Sequence, residues 1–165
     1  MSDKPCLSLA VAFNGKPLIH STPLGISLKG AGLFPGQTKF MGKHEVAIDE
    51  TYEMPVGKRS HCRNHARELI LDYGDGKAVK FSLIVRAYRE GIAYRFRIHG
   101  TGEDTVESET GGFVFPQATK AWYAPFVHNY ESPYYARPGW EKQSRDIQAP
   151  ALFETPSKHL ILLTE

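Results

Sequence analysis

The sequence predicts an all-β protein built from antiparallel sheets. Three observations carry that prediction. Apolar residues recur at every second position over several stretches, the period of a strand with one buried face. Turn-forming pairs containing glycine separate those stretches. No stretch shows the 3.6-residue recurrence of an amphipathic helix.

The elements follow in order. In Cys6 to Phe13 the odd positions hold Leu7, Leu9, Val11 and Phe13, and the even positions are mostly small. Asn14-Gly15 then supplies the two residues that best tolerate positive φ in a tight hairpin. Lys16 to His20 is the returning strand, with Pro17 placing it at an edge or delaying its start. Thr22 to Leu28 reads as a further short strand. Gly30 to Gly42, with four glycines and a proline, reads as a loop, and Lys43 to Glu50 as a strand. The clearest region is central. Glu68 to Tyr73, Val79 to Tyr88 and Ile92 to His99 form a meander, joined at Gly74-Asp75-Gly76 and Glu90-Gly91. Its last segment sets Ile92, Tyr94, Phe96 and Ile98 on one face and Arg95, Arg97 and His99 on the other. Gly100 to Gly112 is acidic, and Glu103 to Glu109 reads as a solvated loop. Phe113 to Phe115 and Ala121 to Ala124 are short strands, and Asn129 to Ser144 is an irregular aromatic loop. Ala149 to Glu154 and His159 to Thr164 close the chain as two strands turned at Thr155 to Lys158. The last strand runs almost to Glu165, so an uncovered edge is expected there, and a homodimer through a terminal strand is a possible consequence.

Composition narrows the function classes. At 165 residues the chain fits one β-sandwich domain over 1–165 and can bury a core without disulfides. Twenty basic and 18 acidic side chains give a net charge of +2, too balanced for a nucleic-acid footprint. No apolar run approaches the roughly 18 residues that a membrane helix needs. Cys6 and Cys62 have no metal-ligand spacing; two buried thiols are expected, with a long-range disulfide as the alternative. His61 and His65 are spaced i, i+4, but in a strand both would face one side roughly 13 Å apart, too far for a shared metal.

The run Arg63-Asn64-His65, then Glu68-Leu69, then Val85-Arg86-Ala87-Tyr88-Arg89-Glu90-Gly91-Ile92-Ala93-Tyr94-Arg95-Phe96 resembles the N-terminal domain of glycoside hydrolase family 97. There a segment like F-R-A-Y-D-D-G-V-A-F-R-Y follows one like R-N-H-Y-N-E-L. Phe113 to Pro116, Ala121-Trp122 and Pro150 to Glu154 followed by Ile161 to Glu165 occur in the same order, so the likeness spans nearly the whole chain. The resemblance implies a β-super-sandwich like that of galactose mutarotase. It also implies a following catalytic (β/α)₈ domain, activity of the full-length protein on α-glucosides or α-galactosides, bound calcium, and a periplasmic or secreted bacterial setting. The catalytic carboxylates would lie in that barrel, outside this chain.

Site residues follow from the two readings together. No acidic pair stands in a motif that marks glycosidic chemistry, which needs two opposed carboxyl groups. The resemblance implies Glu165 as a calcium ligand, with Glu154 as second choice. One carboxylate cannot satisfy a cation that takes six to eight oxygens, so no tight calcium site is expected in the isolated chain. Arg63, Asn64 and His65 either face the barrel or the sugar, or satisfy backbone groups at a bulge or sheet edge; the second reading is preferred. The aromatic residues Trp122, Tyr123, Tyr130, Tyr134, Tyr135 and Trp140 are assigned first to a domain interface. Local packing and independent sugar binding are the alternatives. A free-standing carbohydrate-binding module or a small mutarotase-like enzyme, with His65, His99 or His128 as acid or base, are the rival functions.

Overall fold

A computed structural model describes residues 7–100, 102–129, 131–138 and 146–164. Among them every regular element is a β-strand and every pairing is antiparallel. Cys6, Tyr130, Trp140 and Glu165 lie outside the described residues, and with them the Cys6–Cys62 question and the first-choice calcium ligand. The strands fall into two compact units, one comprising 1–7 and 24–110, the other 8–23 and 111–165.

The second unit begins with β1 (Leu7–Phe13), from Ser8 onward, and the part of β2 (Lys16–Leu28) up to Pro23. Asn14 and Gly15, at φ 49° and 73°, make the expected tight turn. Leu7, Leu9 and Val11 are half-buried while their neighbours are exposed, as the alternation requires. A sheet in the order β11 (Tyr135–Pro138), β10 (Lys120–Pro125), β12 (Ile147–Glu154), β13 (Leu160–Leu163) completes this unit, with β9 (Phe113–Val114) paired to β2. Its core is Ile19, Phe115, Ala121, Tyr123, Ala151 and Phe153. Odd residues of β10 and β12 meet there because register places Ala121 opposite Phe153.

The first unit holds a four-stranded sheet in the order β4 (Lys39–Glu53), β5 (His61–Gly74), β6 (Val79–Ala87), β7 (Ile92–Ile98). The C-terminal half of β2 pairs with β3 (Gly32–Phe34) and β8 (Val106–Thr110). One face of the four-stranded sheet is aromatic: Phe81 is flanked by Tyr73, Phe96 and, from β3, Phe34. Burial pushes the Tyr73 and Tyr94 hydroxyls above the ordinary tyrosine range.

Four expectations about elements need correction. Lys16 to Leu28 is one continuous strand, since Pro17 lies near its start, where a missing N–H costs little. Gly30 to Gly42 is not all loop: positive-φ turns at Gly30, Gly32 and Gly36 bracket a short strand, and β4 already begins at Lys39. The acidic stretch contains β8, all of whose residues are exposed. An edge strand is held by its backbone ladder and needs no apolar face. For the same reason Asn129 to Ser144 includes β11 without a period of two.

The turn between β5 and β6 carries a pH prediction. Asp75 Oδ1 accepts the backbone N–H groups of Lys77 and Ala78 at 2.8 and 2.9 Å, and Lys80 Nζ stands 3.3 Å from Oδ2. These donors, the backbone ones foremost, hold its carboxyl down to about 2 from 3.8. A depressed carboxylate stabilises the fold above its unfolded value, and that contribution disappears as pH falls through the folded value. The melting temperature is therefore expected to fall between pH 4 and pH 2. Asp75→Asn, which keeps the turn's acceptor, is expected to flatten that fall; a variant melting in parallel with the parent would contradict it.

Candidate functional site

β4 and β5 pair over their whole lengths, from Lys39 opposite Gly74 to Glu53 opposite His61. β6 accompanies β5 only from Arg67 to Gly74. From Ile48 and Ala66 outward, the ribbon therefore stands two strands wide, and polar residues occupy both faces. One face carries Asp49, Thr51 and Glu53 on β4 against His61, Arg63 and His65 on β5. The other carries Glu50 and Tyr52 against Asn64 and Cys62.

The side chains pair across the strands. Arg63 donates from Nε and Nη2 to the two carboxylate oxygens of Asp49, each at 2.7 Å. Asn64 Nδ2 donates to Glu50 Oε1 at 2.6 Å, and His61 Nδ1 lies 3.4 Å from Glu53 Oε1. The expectation that Arg63 and Asn64 satisfy backbone groups is thus corrected: an acid lies within reach on the facing strand, at the spacing where cross-strand pairs interact. The bidentate Arg63 fork holds the Asp49 carboxyl below the usual carboxylate range, and Asp49 raises Arg63 in return. Tyr52 is raised chiefly by its cross-strand neighbour Cys62. Thr51, Tyr52, Glu53, His61, Cys62 and Arg63 line an open recess of about 590 Å³.

A second constellation was not anticipated. On the face opposite the aromatic one, Ser82, only 1% exposed, donates to Asp72 Oδ1 at 2.5 Å and lies 2.7 Å from His99 Nε2. One hydroxyl proton serves Asp72, so Ser82 accepts from His99 Nε2–H. His44 Nε2 approaches the other Asp72 oxygen at 3.2 Å. Further along the same face, beyond the Ile70–Ile84 pair, Glu68 and Arg86 form a 2.5 Å ion pair. The one signal in the sequence was register: Asp72 and Ser82 stand directly opposite. Ser82→Ala removes a partner from two side chains and is expected to cost about 1–3 kcal/mol, read by urea denaturation. A loss within error would contradict the network.

The aromatic candidates of the second unit occupy different environments. Tyr123 is a core residue, 4% exposed, with a buried hydroxyl that makes no hydrogen bond. Trp122 points to the opposite face of β10, half-buried, and stands opposite Leu152 and Ala136. Tyr134 is exposed and donates its hydroxyl to the Pro150 carbonyl at 3.0 Å. Tyr135 is exposed too, opposite Tyr123.

These arrangements limit the chemistry. Asp49 is held ionised and clamped by Arg63, which removes it as a general acid. The His–carboxylate pairs His44–Asp72 and His61–Glu53 are in direct contact, with no room for a sugar ring between them. Of the mutarotase-type candidates, His65 stands opposite Asp49, His99 is engaged with Ser82, and His128 stands edge-on to Phe126. Among the described residues no three His, Cys, Asp or Glu side chains converge on a metal position. Glu154, the second-choice calcium ligand, is paired with Lys158 at 2.6 Å, which holds its carboxyl low.

Residues 2–165 match the family described as glycosyl-hydrolase 97 N-terminal. The chain belongs to that family. It is an N-terminal domain of the glycoside hydrolase family 97 type. A probable retaining α-galactosidase of Streptomyces bingchenggensis is 30% identical over 157 residues, 94% of this chain and 24% of the relative. A retaining α-galactosidase of Bacteroides thetaiotaomicron is 29% identical over 121 residues, 73% of this chain and 18% of the relative. This chain thus spans about a quarter or less of the length of these curated relatives. Among solved structures, a β-arabinopyranosidase superposes with a TM-score of 0.80 at 27% identity, over 96% of this chain and 27% of that one. A family 97 enzyme from Pseudoalteromonas, solved with acarbose, superposes at 0.74 with 18% identity over 92% of this chain and 24% of its own, a likeness of fold.

Proposed function

We propose that this domain supports a catalytic (β/α)₈ partner acting on α-galactosides or α-glucosides, and that it contributes structure to the sugar cleft without contributing the reacting groups. One observation carries the reading: the family match runs from residue 2 to 165, while the stretch aligned with the Streptomyces relative is only 24% of that protein. The site geometry agrees with it. In the two-stranded part of the β4–β5 ribbon Asp49, Glu50 and Glu53 each have a basic or amide partner on the facing strand, whereas glycoside hydrolysis requires two carboxyl groups separated by the scissile bond. The exposed Tyr134 and Tyr135 and the half-buried Trp122 are the surfaces offered to the partner domain. Calcium, where a full-length enzyme uses it, would draw its ligands mainly from that partner. A bacterial protein exported to the periplasm or medium fits the substrates named for the relatives.

The rival reading is a free-standing carbohydrate-binding module. It is tested by adding α-galactosides and maltooligosaccharides to the ¹⁵N-labelled chain. No saturable shift is expected up to millimolar sugar. Saturable shifts confined to Trp122, Tyr134 and Tyr135 would overturn the supporting role in favour of the module.

A further inference from the structure

We propose that β4 is a self-association edge: two copies of this chain pair β4 antiparallel to β4 about a two-fold axis passing through Val46. β4 is the outer strand of its sheet, and no strand pairs with its outer side among the described residues. At 15 residues it is far longer than β7, the other edge of its own sheet, or the edge strands β1, β11 and β13. Such edges are usually blunted by proline, by short length, by bulges or by charged side chains, and the charges of β4 are of both signs. β4 has no proline and one irregularity, between Phe40 and Gly42. It also leaves Phe40, Met41, Val46 and Tyr52 exposed.

The charge order of the strand fits a second copy. Its first half carries Lys39, Lys43 and His44, and its second half Asp49, Glu50 and Glu53. Antiparallel self-pairing lays the basic half of one copy along the acidic half of the other. An isologous pair of edges has its axis perpendicular to the sheet. Directly opposite residues then share a face, so the axis passes through a residue. An axis at Glu45 or Asp49 would set like charges against each other. An axis at Ala47 would set Glu45 against the partner's Asp49. With Val46 on the axis, Lys43 meets the partner's Asp49, Glu45 meets the partner's Ala47, and His44 meets the partner's Ile48. Val46 is also the midpoint of Lys39–Glu53, so this register engages both halves of the strand up to the irregularity at Phe40–Gly42. The ion pairs are exposed and select the register; the backbone ladder and the Val46 contact supply the association.

The test uses the chain itself in sedimentation equilibrium over a range of concentrations. A reversible dimer is expected. Val46→Lys places two ammonium groups at the axis at a residue 46% exposed, and is expected to give a folded monomer whose melting temperature, unlike the parent's, does not rise with protein concentration. In a Cys6→Ser, Cys62→Ser background, Val46→Cys is expected to oxidise to a covalent dimer, because opposite residues in such a pair lie about 4.5–5.5 Å apart, within disulfide range. A parent chain that stays monomeric at every concentration would overturn the proposal. So would a Val46→Lys dimer, or cross-linking through Ile48→Cys but not Val46→Cys.

Discussion

Phe81→Ala is expected to destabilise the first unit by about 3–5 kcal/mol, among the largest losses available to a single substitution. Phe81 is fully buried. Its ring stacks on Tyr73 at a centroid distance of 5.0 Å and 8° between planes, with Phe34 at 5.3 Å and Phe96 at 6.4 Å. The side chain thus joins three strands of one sheet to the strand that covers it. Removing it forfeits apolar transfer energy, and the surrounding rings cannot collapse fully into the space. Urea denaturation followed by far-ultraviolet circular dichroism reads the loss. A change below about 1 kcal/mol would mean that the aromatic cluster is not the core of this unit.

Phe153→Ala is expected to be equally severe in the second unit, again about 3–5 kcal/mol. Phe153 is fully buried and stacks on Phe115 at 4.2 Å and 20°. Register sets Ala121 on one side of it and Ile161 on the other. Phe115→Ala removes the same stacked pair from the other side, so the double variant is expected to lose less than the sum of the singles. Strict additivity would show that the stack contributes nothing beyond the burial of each ring.

The middle of the chain was legible because burial alternates there. Phe96 and Ile98 are half-buried while Arg95 and Arg97 are exposed, as the spacing of β7 requires. The Asn14-Gly15 turn was legible because few other residue pairs adopt its backbone. Strands held only by their ladders were not: β8 is exposed along its whole length, and β3 and β11 are too short to show a period. Side-chain pairing is hidden for a related reason. Asp49 and Arg63 lie 14 residues apart in sequence, and Asp72 and Ser82 ten; only the register brings each pair together. Tyr123 looked like its neighbour Trp122 in the sequence, yet adjacent strand residues point to opposite faces, so one is core and the other is not.

The most direct test of the accessory role is hydrolysis of nitrophenyl α-galactoside and nitrophenyl α-glucoside by the purified chain, with and without calcium. No turnover above the buffer rate is expected under either condition, because the reacting carboxylates are assigned to a partner domain. Turnover that co-purifies with the chain and is lost in a variant of one of its own acidic residues would contradict that assignment and place the chemistry within these 165 residues.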